Sequence, residues 1–485
     1  MFCFSRLSFR RPLLYGVTAF LAIAAACGGV LSSPVAAQPA SVSADTTHLT
    51  FDDAIRTALD QNTDLKRAQN SVRESETQVR SEWMDFTPDL SLSTDVTRRV
   101  GRNFSQVTGT FTTRSTDFVN MGARSSITLF NGYENVASLN QSQHQAQADQ
   151  LNLQRTRREV VFTVMDRYIA MLESRELVRV RREELEARRQ QLRQIEEFVD
   201  AGSRPVSDLY QEQANVAEAE QRVLQAERER EVNKTRLIQT LQLDPRKPYY
   251  FEVPALAADT IRTQTYDVGA LMDEAFERRL DLRVVEAERQ AAERGVTVAR
   301  SSYFPSLTLS GRYGTDWTSR GRIPDPDNRG QFLNPSFTDQ LDNNRGGGVT
   351  LSLSIPVFER FQRNTQVERA QVQAQNAEYR LEDQRQEVAL QVRQAYLDYR
   401  NAIQQLEAAN KRLRAAEQAR AAAQERYNLG SASIVELQNA TRDYVDAASQ
   451  QVRARYNLIF QKKQIDYQVG RLRSNEPLIL QHDAQ

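Results

Sequence analysis

Tyr427-Asn428-Leu429-Gly430-Ser431-Ala432-Ser433-Ile434-Val435-Glu436-Leu437 is a short turn between two long helix-compatible runs. The chain uses the same device earlier, at Phe198-Val199-Asp200-Ala201-Gly202-Ser203-Arg204-Pro205-Val206-Ser207-Asp208-Leu209. A shift of about 228 residues lays Gly202 on Gly430, Asp208 on Glu436 and Leu209 on Leu437. Neither glycine nor proline occurs in 133–201 or 357–429. Each run is therefore predicted as an unbroken helix, roughly 100 Å long at about 1.5 Å per residue. The glycine after each run can adopt the left-handed conformation that ends a helix. The chain then returns through 206–243 and 434–469, giving two very long helical hairpins with matching tips.

The repeat reaches further toward the N-terminus. Thr50 followed by Asp53 marks a helix start, and 54–86 reads as one helix stopped before Pro88. Shifted by about 217, it matches 271–303: Ala58 meets Ala275, Asp64-Leu65 meets Asp281-Leu282, and Val79 meets Val296. Pro88, Leu90, Leu92 and Ser93 fall on Pro305, Leu307, Leu309 and Ser310. The shift grows by about 11 before the long helices, so the second copy carries an insertion. Two constant offsets across most of the chain indicate internal duplication, which overrides the prior from length of about three ordinary domains.

At each proline the period switches from helical to alternating. Leu90, Leu92 and Val96 alternate with Ser91 and Ser93, and Ile127 and Leu129 with Ser126 and Thr128. In the second copy Leu307, Leu309 and Tyr313 alternate with Thr308 and Ser310. Val349, Leu351, Leu353 and Ile355 then alternate with Thr350, Ser352 and Ser354. Such segments place one face in an apolar medium and the other in a polar one. About ten residues suit a tilted strand through an outer membrane, and half-buried hairpins on a soluble domain would show the same period. Four strands cannot close a barrel, and open edges are not tolerated in lipid, so a membrane reading requires several chains to pool their strands. The Gly-, Asn-, Thr- and Arg-rich segments at about 98–121 and 314–347 read as long outer loops. Asp325-Pro326-Asp327-Asn328-Arg329-Gly330 is a turn, because Arg329 stands at a ligand position of a calcium loop and no Glu closes it.

The long helices need helical partners. Val164, Met171, Val178, Leu185, Leu192 and Val199 stand seven apart, and the shifted column reads Val392, Tyr399, Leu406, Leu413, Arg420 and Tyr427. A sustained sevenfold repeat means coiled-coil packing. Gln, Glu, Arg and Ala fill the rest, so the seams are narrow and suit a tube of many helices; a stalk without a channel is the alternative.

Arg6, Arg10 and Arg11, an apolar run from Leu13 to Leu31, and Ser33-Pro34-Val35-Ala36-Ala37-Gln38 give an export signal cut after Ala37. An uncleaved anchor and lipidation at Cys27 are the alternatives. Cleavage would remove Cys3 and Cys27, the two cysteines of the chain, leaving no disulfide or thiolate site. The 63 basic and 63 acidic residues balance, which gives no support to nucleic-acid binding. The three histidines, His48, His144 and His482, are far apart, and neither a phosphate loop nor a nucleophile elbow occurs. These features argue against an enzyme and against a cofactor or metal site.

Over nearly all of the mature sequence the chain resembles the TolC-like outer-membrane efflux proteins. The resemblance rests on Leu49-Thr50-Phe51-Asp52-Asp53-Ala54-Ile55, the duplicated Pro-x-Leu-x-Leu strand starts, Leu129-Phe130-Asn131-Gly132 with its partner Val357-Phe358, and Tyr427-Asn428-Leu429-Gly430-Ser431. It implies an α+β membrane protein: a homotrimer with a 12-stranded outer-membrane β-barrel, four strands from each chain, continued by a 12-helix periplasmic α-barrel. It also implies a passive exit duct, joined through a periplasmic adaptor to an inner-membrane pump or secretion ATPase.

The domain plan is a signal peptide at 1–37, repeat 1 at 38–243, a linker at 244–265, repeat 2 at 266–470 and a tail at 471–485. By resemblance, Tyr427 matches a gate tyrosine, Glu436 an acidic gate residue and Asp208 its counterpart in the other hairpin. The adaptor would dock at Gly202, Ser203, Val206, Leu209, Gly430, Ser431, Ile434 and Leu437. Two positions depart from the pattern: Ala432 stands where an arginine can latch the closed state, and Asn439 where a second acidic ring can sit. Arg204 is then expected to contribute to closure. The competing reading from another class is a periplasmic coiled-coil adaptor or scaffold without a channel; adaptors normally carry a single hairpin and lipoyl-like β domains.

Overall fold

The computed structural model describes residues 47–105, 109–253, 264–325 and 330–472. The signal segment with Cys27, the centre of the turn at 325–330, part of the 244–265 linker and all but the start of the tail lie outside them. Thr47–Leu49 (β1) leads into Phe51–Gln61 (α1) and Thr63–Met84 (α2). Thr50 caps α1 through a reciprocal pair of hydrogen bonds with Asp53. The single helix predicted over 54–86 is thus two, broken at Asn62, whose side-chain oxygen accepts from the N–H groups of Asp64 and Leu65.

Ser91–Ser105 (β2) and Thr110–Asn131 (β3) form an antiparallel pair. The outer loop expected at 98–121 is therefore mostly strand. Alternation continues through Val100 and Phe104, and Arg98 pairs with Asp117 across the strands at 2.6 Å. Glu134–Asp200 (α3) and Val206–Thr240 (α4) make the first long hairpin, followed by Tyr249–Phe251 (β4), which pairs in parallel with β1.

The second half runs Val268–Arg278 (α5), Leu280–Ser301 (α6), Ser306–Thr318 (β5), Ile323–Pro324 (β6), Phe332–Leu333 (β7), Phe337–Asn343 (α7) and Gly346–Ser354 (β8). Gln362–Asn428 (α8) and Ile434–Gln468 (α9) close it. The run 271–303, like its counterpart, is split in two, here at Arg279. Helix α8 begins five residues later than the sequence suggests, because Arg360 and Phe361 take left-handed φ values of 50° and 60° to turn the strand into the helix. Gly132 and Tyr133, at 66° and 65°, make the same turn before α3.

Strand order is β2-β3-β5-β8, antiparallel throughout, with one bulge between Thr128 and Phe130. The register sets Ser91, Arg124, Arg312 and Gly348 in one row, and Leu92, Ala123, Tyr313 and Gly347 in the next. One face is thus polar. The other carries exposed Leu92, Val96, Val100, Val349, Leu351 and Leu353. Above the end of β8, the free edge of β5 is covered by α7: the Thr318 N–H donates to Gln340 Oε1 at 3.0 Å, and Asn344 Nδ2 donates to the Asp316 carbonyl at 2.8 Å.

The main apolar core joins α1 and the middle of α3 to α9, with Val164, Met165 and Tyr168 fully buried and the Tyr168 hydroxyl donating to the Glu252 carbonyl. A second core gathers Leu271, Val392, Tyr399 and Ile465. Along α3 the predicted sevenfold column is buried only at its upper end. Leu185, Leu192 and Val199 are half-exposed, while Glu184, Arg188, Gln191 and Ile195 turn inward. At the break in the second column, the Arg420 guanidinium lies 3.8 Å from the Tyr444 ring centroid.

Each 67-residue helix is flanked by a split one. Along α3, the end of α4 meets the start of α2, where Asn62, Thr156, Glu159 and Thr240 line one cavity. Along α8, the end of α9 meets the start of α6, where Arg279 Nη1 donates to Gln468 Oε1 at 2.8 Å. Among the described residues no helix is long and apolar enough to cross a membrane.

Candidate functional site at the helical tips

Both hairpins end alike. Gly202 and Gly430 take φ of 69° and 73°, as the sequence predicts, and a side chain there would meet open space. The Ser203 hydroxyl donates to the Phe198 carbonyl at 2.8 Å and the Ser431 hydroxyl to the Arg426 carbonyl at 3.0 Å. These bonds satisfy acceptors that a helix C-terminus leaves free. Pro205 and Ser433 then start the return helices. Gly202, Ser203, Val206, Gly430 and Ser431 are exposed, and Leu209 and Ile434 are half-buried. Leu437 is fully buried with Ala423 and Tyr427, so it packs the tip from within rather than offering a docking surface.

The two tips touch through Arg204. Its Nη2 donates to the Tyr427 carbonyl at 2.9 Å, and its guanidinium carbon lies 4.5 Å from the Tyr427 ring centroid. A cation there also meets the negative end of the α8 dipole. Burial pushes the Tyr427 phenol up, the Arg204 charge opposes this, and Asp208 and Glu212 reinforce it. The phenolic oxygen is buried and has no hydrogen-bond partner among the described residues. Of the expected gate residues the structure brings together Tyr427, Arg204 and Asp208. It pairs Glu436 with Arg426 and leaves Asn439 exposed. Ala432 is buried.

Sequence reasoning misses the layer beneath. Glu212 is one turn beyond Asp208 on the same face of α4 and is wholly buried. Its Oε1 lies 3.5 Å from Nη1 of Arg188, which is also buried, and its Oε2 accepts from Asn215 at 2.8 Å. Burial raises the Glu212 carboxyl above its ordinary range, with Asn215, Arg188 and Gln438 opposing. Among the described residues Arg188 Nη1, Gln191 Nε2, Glu212 Oε1 and Gln438 Nε2 are all buried without a hydrogen bond of sound geometry. This is a loose polar joint between α3, α4 and α9. Among the described residues no group of His, Cys, Asp and Glu is placed to hold a metal.

The pattern of paired hairpins, joined by a sheet with one apolar face, recurs in known proteins. The family model for outer membrane efflux proteins matches residues 54–241 and 271–470. The chain belongs to that family. It is 25% identical over 234 residues to the outer membrane protein TolC of Escherichia coli K12, covering 48% of this chain and 46% of TolC. It is 25% identical over 218 residues to the protein CyaE of Bordetella pertussis, covering 44% and 42%. The aligned part thus spans about half the length of these curated relatives. The fold is shared over far more: VceC of Vibrio cholerae superposes with a TM-score of 0.71 at 16% identity, covering 87% of this chain and 96% of VceC. The CmeC outer membrane channel of Campylobacter jejuni gives 0.72 at 16%, covering 88% and 87%. For this efflux-family chain, the tips lie at the far end of the helices from the apolar sheet.

Proposed function

We propose that three copies of this chain form a passive exit duct in the outer membrane, serving a tripartite efflux pump or a type I secretion system. The observation that carries this reading is a four-stranded sheet with one exposed apolar face and with β2 and β8 as its edges, neither paired to a further strand among the described residues. In lipid every backbone group needs a partner, so strands span only as closed barrels. Three such sheets joined edge to edge give a 12-stranded barrel, and the long hairpins continue it as a 12-helix tube in the periplasm. The helices pair in length, 11 with 11, 22 with 22, 67 with 67 and 35 with 35 residues, which supports an internally duplicated chain with repeats at 38–243 and 266–470.

The tips at Gly202-Ser203 and Gly430-Ser431 would dock a periplasmic adaptor that links the duct to an inner-membrane pump or ATPase, and the chain itself is not an enzyme. Cross-linking in mild detergent tests the assembly. Material running at three chains, with heat-modifiable migration, is expected. A monodisperse monomer, soluble without detergent, would overturn it.

A further inference from the structure

We propose that Arg124 and Arg312 form an anion-binding ring in the lumen of the barrel, a site for carboxylate- or phosphate-bearing solutes leaving the duct. The inference rests on the exit-duct reading, which makes the polar face of the sheet the lumen wall.

The two arginines are cross-strand partners in β3 and β5, on the polar face, and both are exposed. Side chains directly opposite in an antiparallel pair start about 5 Å apart, and like charges there repel. Neither guanidinium forms an ion pair within 4.0 Å among the described residues. Asp89 feels the Arg124 charge but is already held by the Ser126 hydroxyl at 2.8 Å. Their row is completed by Ser91 and Gly348, too small to cover the cations. Three chains would bring six guanidinium groups to one level, each with donors in a planar fork suited to carboxylate and phosphate.

The rows beyond sharpen the site. Toward the outer end comes Ser93, Gly122, Gly314 and Gly346, a band of almost bare backbone. A side chain at Gly314 would meet the Met121 carbonyl at 2.7 Å, so the band stays open. The next row holds Asp95, Asn120 and Asp316. Four strand residues separate the basic from the acidic row, about 13 Å at roughly 3.3 Å per residue. A solute lying across the glycine band meets cations at its inner end and carboxylates at its outer end.

The test is conductance of the purified trimer in planar bilayers, with sodium tripolyphosphate added from the outer side. Concentration-dependent block is expected. Arg124→Gln with Arg312→Gln should raise the half-blocking concentration at least tenfold, and Arg124→Lys with Arg312→Lys should stay within about threefold of the parent. Asp95→Asn with Asp316→Asn should lower it. Block that is absent, or equal in the Gln and parent proteins, overturns the ring while leaving the duct intact. A cross-linked trimer that never conducts overturns the duct and the ring with it. Should the Gln pair fail to assemble, Arg312→Gln alone against the Lys pair makes the same comparison.

Discussion

Replacing Glu212 by Leu strands the Arg188 guanidinium among α3, α4 and α9, where both side chains are nine-tenths or more buried. Removing one member of a buried pair costs about 3–5 kcal/mol, because the remaining charge is left without compensation. The 3.5 Å separation and the unpaired atoms on both partners put this pair at the low end, about 3 kcal/mol. At 1.4 kcal/mol per tenfold, amide protection over 206–220 should fall about a hundredfold, read by hydrogen exchange on the detergent-solubilised protein. Adding Arg188→Met should restore it to the parent level or above, because a loose buried pair is often worth no more than well-packed apolar side chains. If the double variant exchanges as fast as Glu212→Leu alone, the stranded charge is not the cause and the reasoning fails. The same carboxyl gives a pH dependence. It is held protonated to higher pH in the folded tip than in the unfolded chain. Its contribution to stability is complete below the ordinary glutamate value and is lost as pH rises through the raised one. Protection at the tip, corrected for intrinsic exchange, should therefore decline from acid toward neutral pH, and Glu212→Gln should flatten that decline.

Arg204→Ala removes the contact between the two tips and should increase the open-channel fraction in bilayers several-fold, with Arg204→Lys intermediate; equal conductance in all three would remove Arg204 from the closure. Gly202→Ala and Gly430→Ala meet no atoms but force a left-handed φ, so each should cost about 1 kcal/mol, seen as faster limited proteolysis at the tips. Gly132→Ala adds a Cβ that would lie 2.6 Å from the Ser301 carbonyl and 2.7 Å from Phe304 Cβ, at a left-handed φ. It should lower the yield of heat-resistant trimer far more than either tip substitution.

The helical hairpins were legible because their punctuation is local: Gly202 and Gly430 are the left-handed residues that the sequence marks. The sheet was legible in its alternation, although glycine, threonine and arginine around 98–121 disguised strand as loop. Cross-strand partners such as Asp117 for Arg98 are invisible until register is known. The break at Asn62 carried a capping signal in Asn62-Thr63-Asp64. Its counterpart at Arg279 has no side-chain cap, and it is tied instead to Gln468, 189 residues away. Glu212 and Arg188 could not be told from the many solvated acids and bases of the long helices, because only the packing of three helices decides which of them is buried. The Arg426 partner of Glu436 spans a turn, where helical spacing rules do not apply.

The split companions of α3 and α8 have a mechanical consequence. A beam laminated from one continuous member and one jointed member is weakest at the joint, because there the continuous member is braced by side-chain packing and not by a second unbroken backbone. In both halves of this chain the joint falls between the sheet and the tips, at Asn62 with Thr240 and at Arg279 with Gln468. Stress applied at the tips should therefore flex the lower segments about these two hinges, while the upper segments keep the sheet square.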